Sequence, residues 1–169
     1  MATQIPERPR LSSKTSHRYA IVESIYNDEF VVPMAEAASN EIHAIEPTAK
    51  IVRALASGSF EIPVVAQALL EREKFDALIA LGVILRGETA HADLIARAVT
   101  DALMRLSLDY KTPIIHEVLL LDNPQQAQLR CLDPQFNRGI EAARAAVNSV
   151  RILEEIRPPR TPINPITPE

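Results

Sequence analysis

Residues 75–91 read Phe-Asp-Ala-Leu-Ile-Ala-Leu-Gly-Val-Ile-Leu-Arg-Gly-Glu-Thr-Ala-His, and this stretch determines the predicted fold. Its first part is an almost continuous apolar run, which is typical of a strand covered on both faces. The run breaks at Arg86-Gly87, and a helical pattern begins at Thr89. A buried strand followed directly by a helix is the building unit of a parallel sheet. We therefore predict an α/β fold from this stretch.

The rest of the chain repeats the alternation of strand and helix patterns. The helical segments carry apolar residues at steps of three and four, and in the helix that begins at Thr89 this rule places Leu94 on the inner face. The alternation predicts a three-layer αβα sandwich, flavodoxin-like, with a four-stranded parallel sheet and helices on both faces. Strands are predicted over 19–24, 50–54, 77–85 and 113–121, and helices over 29–45, 64–73, 89–109, 124–131 and from a cap near Asn137 to Ile156.

The two ends of the chain differ in composition from the segment between them. Residues 1–17 are polar and contain two prolines, which predicts a flexible N-terminal arm. Residues 157–169 hold five prolines in thirteen positions, so we predict an extended Pro-rich tail. The intervening residues 18–156 have the length of one domain with a single core.

Composition narrows the classes of function. The formal net charge of −4 does not suggest a nucleic acid or an anionic membrane as a partner. No apolar run reaches the roughly 18 residues that a membrane span needs, and the N-terminus lacks the apolar core of a secretory signal. The single cysteine, Cys131, excludes an internal disulfide and fits a reducing compartment. We expect a cytoplasmic location.

The segment after the central strand predicts an anion site beside a histidine. Gly87 ends the strand and Thr89 starts the helix, so free backbone N–H groups of the first helical turn face the sheet edge. His91 lies in that turn and can exchange a proton near neutral pH. In parallel sheets, ligands bind outside the carboxyl ends of the strands. The pattern predicts an anionic, phosphorylated small molecule as ligand, with His91 available for proton transfer.

Further polar or aromatic residues are predicted at the same edge, and each has a structural alternative. His91 could be a helix-start residue without a role, and Glu61 could be only a helix-start carboxylate. Tyr26 and Phe60 could be core residues. The four histidines lack metal-ligand spacing, and neither a dinucleotide fingerprint nor a Walker phosphate loop occurs, so we expect no metal and no cofactor. The candidates are Ser59, Phe60, Glu61, Glu88, His116, Arg130, Arg138 and Glu141.

Four segments within residues 18–156 match, in order, the motifs of one enzyme family. Ser24-Ile-Tyr-Asn27 is similar to the family's Ser-Arg-Phe-Asn, and Ala56-Ser-Gly-Ser-Phe-Glu-Ile-Pro63 to Val-Pro-Gly-Ala-Phe-Glu-Ile-Pro. Residues 80–91 resemble the Gly-x-x-Ile-Arg-Gly-x-Thr-x-His motif. Residues 130–143 keep the spacing of Arg-Ala-Gly-Thr-Lys-Ala-Gly-Asn-Lys-Gly-x-Glu-Ala-Ala without a gap. Over residues 18–156 the chain therefore resembles the lumazine synthase family.

The resemblance implies a condensation of two substrates without a metal or a redox cofactor. The family joins 5-amino-6-(D-ribitylamino)uracil to 3,4-dihydroxy-2-butanone 4-phosphate, which gives 6,7-dimethyl-8-ribityllumazine, phosphate and water. Tyr26 would stack on the uracil ring, and Ser59 and Glu61 would hold the ribityl chain. Val83 and Leu85 would offer backbone groups to the pyrimidine.

The resemblance also implies how the phosphorylated substrate is held. Gly87, Glu88 and Thr89 would cradle its phosphate, helped by Arg130 of an adjacent subunit. His91 would shuttle protons during Schiff-base formation and phosphate loss. In the last helix Arg138 stands where the family has Lys, and Glu141 matches a Glu near the histidine. Family members form pentamers, so we expect a homo-pentamer, with a decamer or a 60-subunit shell left open and riboflavin synthase as a further candidate partner.

The fourth strand departs from the family. The family usually has Phe-Gly-Val-Leu-Thr, whereas this chain has His116-Glu-Val-Leu-Leu120. His116 could stack on the uracil as the Phe does, but Glu117 adds bulk and charge where the family has Gly. Asp133-Pro134 also changes the loop that influences assembly. These changes leave an alternative function open, in which a paralogue with weak catalysis binds lumazine or flavin or forms a shell.

Overall fold

Four parallel strands form one sheet in the order β2-β1-β3-β4. The computed structural model describes residues 5–10 and 16–156, so predictions for 1–4, 11–15 and the tail 157–169 lie outside the described residues. The strands are β1 (Arg18–Ser24), β2 (Lys50–Ala56), β3 (Ala77–Leu85) and β4 (Ile114–Leu121). The helices are α1 (Asp28–Ile45), α2 (Ile62–Arg72), α3 (His91–Asp109), α4 (Pro124–Cys131) and α5 (Arg138–Ile156), and a 3₁₀ turn over Ser59–Glu61 precedes α2.

Helices cover both faces of this sheet. On one face α1, α4 and α5 pack against one set of strand residues, and on the other face α2 and α3 pack against the alternate set. In β3, for example, Ile79 belongs to the first core and Leu78 to the second. Both sets are apolar because neither side of the central strand meets water. The predicted three-layer, flavodoxin-like sandwich is confirmed.

The predicted bounds of three elements are wrong by two residues at one end, and those of several others by one residue. β2 continues two residues further than predicted, because its pairing with β1 extends to Ser24 opposite Ala56. α2 begins at Ile62, with Pro63 in its first turn. α3 begins at His91 and not at Thr89, because the backbone N–H of His91 lies 3.4 Å from the Oγ1 of Thr89 in a local turn. Residues 86–90 therefore form a connection outside the helix.

The chain order creates a crevice at the carboxyl ends of β1 and β3. From β1 the chain enters α1 on one face, whereas from β3 it enters α3 on the other face. The two connections lead away from each other, which leaves an opening between the strand ends. Such a switch point is the usual ligand site of an open parallel sheet.

Gly82 allows the 3₁₀ turn to approach the end of β3. A Cβ atom at this position would lie 2.7 Å from the Oγ of Ser59 and 3.2 Å from the Cδ1 of Ile62. A glycine inside a strand often marks such a close approach. The approach brings the segment after β2 to the same crevice.

An ionic cluster around the buried His17 lies at the amino ends of the strands, at the end of the sheet opposite the crevice. The Nδ1 of His17 lies 3.0 Å from Glu46 at the end of α1, and its Nε2 lies 3.0 Å from Glu154 near the end of α5. The hydroxyl of Tyr19 also donates to Glu46, at 3.1 Å. Burial by itself lowers the pKa of His17, but the hydrogen bonds to Glu154 and Glu46 outweigh it and raise the pKa above its ordinary value of 6.5. The imidazolium form therefore joins β1 to two helix ends.

We expect His17→Gln to destabilise the protein more at pH 6 than at pH 9. A histidine with a raised pKa in the folded state contributes its full stability below its unfolded pKa, and this contribution is lost as pH rises through the folded value. Urea unfolding of wild type and variant at both pH values measures the difference. His43→Gln is the matched control, since His43 is exposed on α1. An equal loss of unfolding free energy at both pH values would contradict the prediction.

Part of the N-terminal segment contacts the domain. The Arg8 guanidinium donates two hydrogen bonds to the Glu41 carboxylate, at 2.7 and 2.8 Å. Arg144 of α5 donates to the same carboxylate at 2.7 Å. Hydrogen bonding to Arg8 is the main reason that the pKa of Glu41 is lowered. These contacts join residues 5–10 to α1 and α5.

Candidate active site

A cavity of about 850 Å³ occupies the crevice between the ends of β1 and β3. Three connections line it: the segments after β1, after β2 and after β3. Nine of the residues predicted for the site are among its lining. They are Tyr26, Ser59, Phe60, Glu61, Val83, Leu85, Gly87, Thr89 and His91.

Two aromatic side chains of this cavity are exposed. Tyr26 is 72% and Phe60 58% accessible, so neither belongs to the core. The core alternative that the sequence left open for both is therefore wrong. Gly58 permits this arrangement, because a Cβ there would lie 3.0 Å from both the Tyr26 ring and the Glu61 carboxylate. An exposed aromatic face beside a carboxylate suits a planar ligand with hydroxyl groups.

The end of β3 offers backbone polar groups to the cavity. β1 pairs with β3 only as far as Leu81, so beyond this point the β1 side of β3 has no neighbouring strand. The side-chain amide of Asn27 donates to the Val83 carbonyl at 2.8 Å on this open side. Val83 and Leu85 face the same side because backbone directions alternate along a strand. The expected backbone contacts of these two residues to a ring stay a prediction, and the Asn27 amide already occupies part of the Val83 carbonyl.

Asn27 itself was missed as a site residue, together with the apolar side chains of α3 that line the cavity. Asn27 adopts a left-handed conformation, with φ of 59°, at the junction of β1 and α1. Asparagine tolerates this conformation better than most residues, and its place in the Ser24–Asn27 motif was the available signal. Leu94, Ile95 and Ala98 form the apolar wall, and Leu94 is exposed, so its predicted place on the inner face is wrong.

The imidazole of His91 is exposed at the N-terminus of α3. Gly87 and Thr89 lie beside it in the cavity wall, whereas Glu88 is exposed and does not line the cavity. The N-terminal turn of a helix carries free N–H groups and a partial positive charge, which favours an anion. Arg86 forms ion pairs with Asp93 of the same turn and with Asp122, at 3.2 and 3.1 Å, and does not line the cavity. The arrangement can bind an anion by backbone groups and move a proton at the imidazole.

The remaining predicted site residues lie outside this cavity in the same chain. Arg138 is buried and forms an ion pair with Glu141 one turn along α5. Arg130 lies on α4, and its charge acts on Glu117 of β4 together with those of Arg138 and Glu141. We call these four residues, Glu117, Arg130, Arg138 and Glu141, the charge cluster. One chain does not bring the charge cluster to His91.

His116 lies on the opposite face of β4 from the charge cluster. Its Nε2 is 3.0 Å from the Thr100 hydroxyl of α3. Burial lowers the pKa of His116, so the imidazole is neutral at physiological pH. A neutral ring held by one hydrogen bond presents an aromatic face without charge.

Neither a helix that could span a membrane nor a group of side chains that could hold a metal ion occurs in residues 5–10 and 16–156. None of the helices there combines the length and hydropathy that a membrane span requires. No three His, Cys, Asp or Glu side chains in the same residues gather closely enough to hold a metal ion.

Comparison with known proteins identifies the family. The family model described as 6,7-dimethyl-8-ribityllumazine synthase matches residues 16–154. The chain belongs to the 6,7-dimethyl-8-ribityllumazine synthase family. A relative with this name from Acidovorax ebreus is 38% identical over 148 residues, which cover 87% of this chain and 93% of the relative. A relative with the same name from Polaromonas sp. is 39% identical over 137 residues, which cover 80% of this chain and 86% of the relative. Another from Leuconostoc mesenteroides is 32% identical over 152 residues, which cover 89% of this chain and 97% of the relative.

At two positions of β4 this member of the lumazine synthase family differs from the usual sequence, and the two side chains have different surroundings. His116 faces α3, and Glu117 faces α4 and α5. Burial and the nearby Glu141 raise the pKa of Glu117 to about 7, against the opposing effect of Arg138 and Arg130. Glu117 is thus a carboxyl group that titrates near neutral pH beside two guanidiniums.

Proposed function

We propose that the protein is a lumazine synthase, which condenses 5-amino-6-(D-ribitylamino)uracil with 3,4-dihydroxy-2-butanone 4-phosphate in riboflavin biosynthesis. The observation that carries the proposal is the cavity at the switch point, where an exposed imidazole stands at a helix N-terminus opposite exposed aromatic side chains. Membership of the family supplies the reaction. The proposed location is the cytoplasm, and the proposed catalytic domain is 18–156 between an arm (1–17) and a tail (157–169).

In this proposal the cavity binds the ribitylaminouracil between its aromatic and backbone groups. Tyr26 and Phe60 contact the ring, and the backbone groups of Val83 and Leu85 recognise its polar edge. The ribityl hydroxyls donate to the Glu61 carboxylate, which accepts no hydrogen bond from the described residues, and contact the buried Ser59. A planar ring with a polyhydroxylated chain fits this division of the cavity.

The phosphate of the second substrate binds at the start of α3. The amides of Gly87, Glu88 and Thr89 and the Thr89 hydroxyl approach its oxygens, and His91 lies within reach of the reacting carbons. His91 then carries protons between the amine, the carbinol and the leaving phosphate as the imine forms. Holding both substrates together supplies much of the acceleration, since imine formation already proceeds in water.

We propose that an adjacent subunit completes this site with Arg130, Arg138, Glu141 and His116. Both guanidiniums lie away from His91 in one chain, so a second copy must bring them to the phosphate. Exposed apolar side chains on the α2 and α3 side, Val64, Met104 and Leu108, suit subunit contacts. The proposed assembly is a homo-pentamer, with riboflavin synthase as a candidate partner, and light scattering after size exclusion measures its mass.

The test of the proposed function is the formation of the lumazine chromophore. Purified protein is mixed with both substrates, and absorbance is compared with the uncatalysed condensation. We expect clear acceleration that saturates in both substrates. A rate equal to the uncatalysed one would overturn the proposal. It would favour the alternative function, a paralogue with weak catalysis, for which no observation of this structure speaks at present.

We expect His91→Ala to lower kcat by about tenfold, which is less than general acid–base catalysis usually contributes. The reason is that binding and orientation of the two substrates survive the loss of the imidazole. Steady-state assays of lumazine formation measure kcat, with His43→Ala as the exposed control on α1. Unchanged turnover in His91→Ala would exclude the proton-transfer role, and a loss above a thousandfold would contradict the dominance of orientation.

A further inference from the structure

A carboxyl group lies among the guanidiniums that are proposed to bind phosphate. Glu117 stands in β4 between Ile115 and Leu119, which pack into the core under α1, α4 and α5. Because every second residue of a strand faces the same side, the Glu117 side chain is directed to that face. Both α4 and α5 contact β4 there. The Glu117 side chain is half-buried under these helices.

The protonation state of Glu117 sets the net charge of the charge cluster. Glu141 already forms an ion pair with Arg138. When Glu117 is ionised, two guanidiniums are balanced by two carboxylates and the cluster is neutral. When Glu117 is protonated, one positive charge remains. A phosphate dianion is attracted to the second form and meets a nearby negative charge in the first.

We infer that Glu117 is a positioning residue for the phosphorylated substrate, and that it takes up one proton when the phosphate group binds to Arg130 and Arg138. The inference rests on the proposed function, which assigns these two arginines to phosphate. The proton comes from solvent and leaves again with the departing inorganic phosphate, so the step is a change of binding and not of covalent chemistry.

The surroundings of Glu117 favour such an exchange. Burial and Glu141 raise its pKa to about 7, while Arg138 and Arg130 act in the other direction, so both forms occur near neutral pH. On α4 the thiol of Cys131 also faces this group, but burial and Glu117 raise its pKa to about 12, and it stays protonated. Across the sheet β3 presents Leu81 opposite Glu117, and His116 lies on the other face. Glu117 is thus the group of this environment that titrates near pH 7.

The first test compares the pH dependence of the KM for butanone phosphate in wild type and Glu117→Gln. Between pH 6 and pH 8.5 we expect the wild-type KM to rise by about three- to tenfold relative to the variant, as a pKa shift of up to one unit on binding requires. Titration of the substrate's own phosphate is common to both proteins and cancels in the ratio. Glu36→Gln, at an exposed position on α1, keeps the wild-type profile. Identical profiles of wild type and Glu117→Gln would overturn the inference.

The second test does not depend on catalysis. Sulfate carries two negative charges across this pH range and does not titrate, so calorimetry of sulfate binding in two buffers of different ionisation enthalpy reports proton uptake by the protein alone. At pH 7 we expect wild type to take up a larger fraction of a proton than Glu117→Gln, and the difference between the two proteins is the proton bound by Glu117. Equal uptake in both proteins, or none in wild type, would overturn the inference even where lumazine formation is normal.

A folding defect is checked separately. Circular dichroism and size exclusion establish whether Glu117→Gln keeps the wild-type fold and assembly. If it does not, Glu117→Gly, which introduces the residue usual in the family, replaces it in both tests. If wild type did not accelerate lumazine formation, the proposed function would be refuted. The sulfate measurement would still decide the role of Glu117. The two failures are therefore distinguishable.

Discussion

Replacing Arg130 with alanine is expected to lower kcat/KM for butanone phosphate by about a hundredfold, roughly 3 kcal/mol of transition-state stabilisation. A guanidinium that holds a phosphate contributes charge-assisted hydrogen bonds, which are stronger than neutral ones. The developing negative charge of the leaving phosphate strengthens them further, so kcat falls together with the rise in KM. Initial rates of lumazine formation at varied butanone phosphate separate the two constants.

Two controls define what this loss means. Arg72→Ala removes an exposed guanidinium at the end of α2 and leaves both constants unchanged. Arg130→Lys keeps the charge but loses the fork of donors, and we expect it to recover only part of the activity. The KM for ribitylaminouracil stays near the wild-type value in Arg130→Ala, because the pyrimidine binds at the other side of the cavity. An unchanged kcat/KM in Arg130→Ala would remove Arg130 from the site.

The central strand could be predicted from sequence because one physical requirement dominates it. β3 is buried on both faces, so every position from Ala77 to Ile84 must be apolar or glycine, and the run ends where burial ends. The start of α3 could not be placed as well, because the turn at Thr89 competes with the helix for the same donors. Leu94 was placed on the inner face by its spacing, but the buried residues of α3 are Ala92, Val99, Leu103 and Leu106, so the inner face is turned away from Leu94 and its side chain lines the cavity.

In the candidate site, too, some residues could be placed from the local sequence, whereas others depend on how distant segments meet in the fold. Residues that directly follow a strand, such as Glu61 and His91, could be placed at the sheet edge from sequence, since parallel strands end together. The hydrogen bond from Asn27 to the Val83 carbonyl depends on which strand ends first, and no local pattern encodes it. The separation of Arg130 from His91 within one chain is a property of the fold, and only the resemblance suggested that a second subunit joins them.

Gly139→Ala is expected to lower the free energy of unfolding by about 3 kcal/mol or more, at the upper end of the usual cost of overpacking. Gly139 lies in the first turn of α5, where a Cβ atom would stand 2.0 Å from the Met34 carbonyl oxygen and 2.8 Å from its carbon. The obstacle is the backbone of α1, which cannot rotate away as a side chain can. α1 and α5 must therefore separate, although both pack against the same core.

Thermal and urea unfolding measure this cost, and Gly87→Ala is the matched control. We expect Gly139→Ala to lower the apparent Tm by about 6 to 12 °C, as a loss of that size predicts for a domain of this length. A Cβ atom at Gly87 would meet no atom within 4 Å, and no glycine of the described residues has a positive φ. Gly87→Ala thus changes stability by less than about 1 kcal/mol, in either direction. Equal Tm values for the two variants would contradict the prediction. They would show that α1 and α5 can move apart to admit a Cβ atom at position 139 without loss of stability.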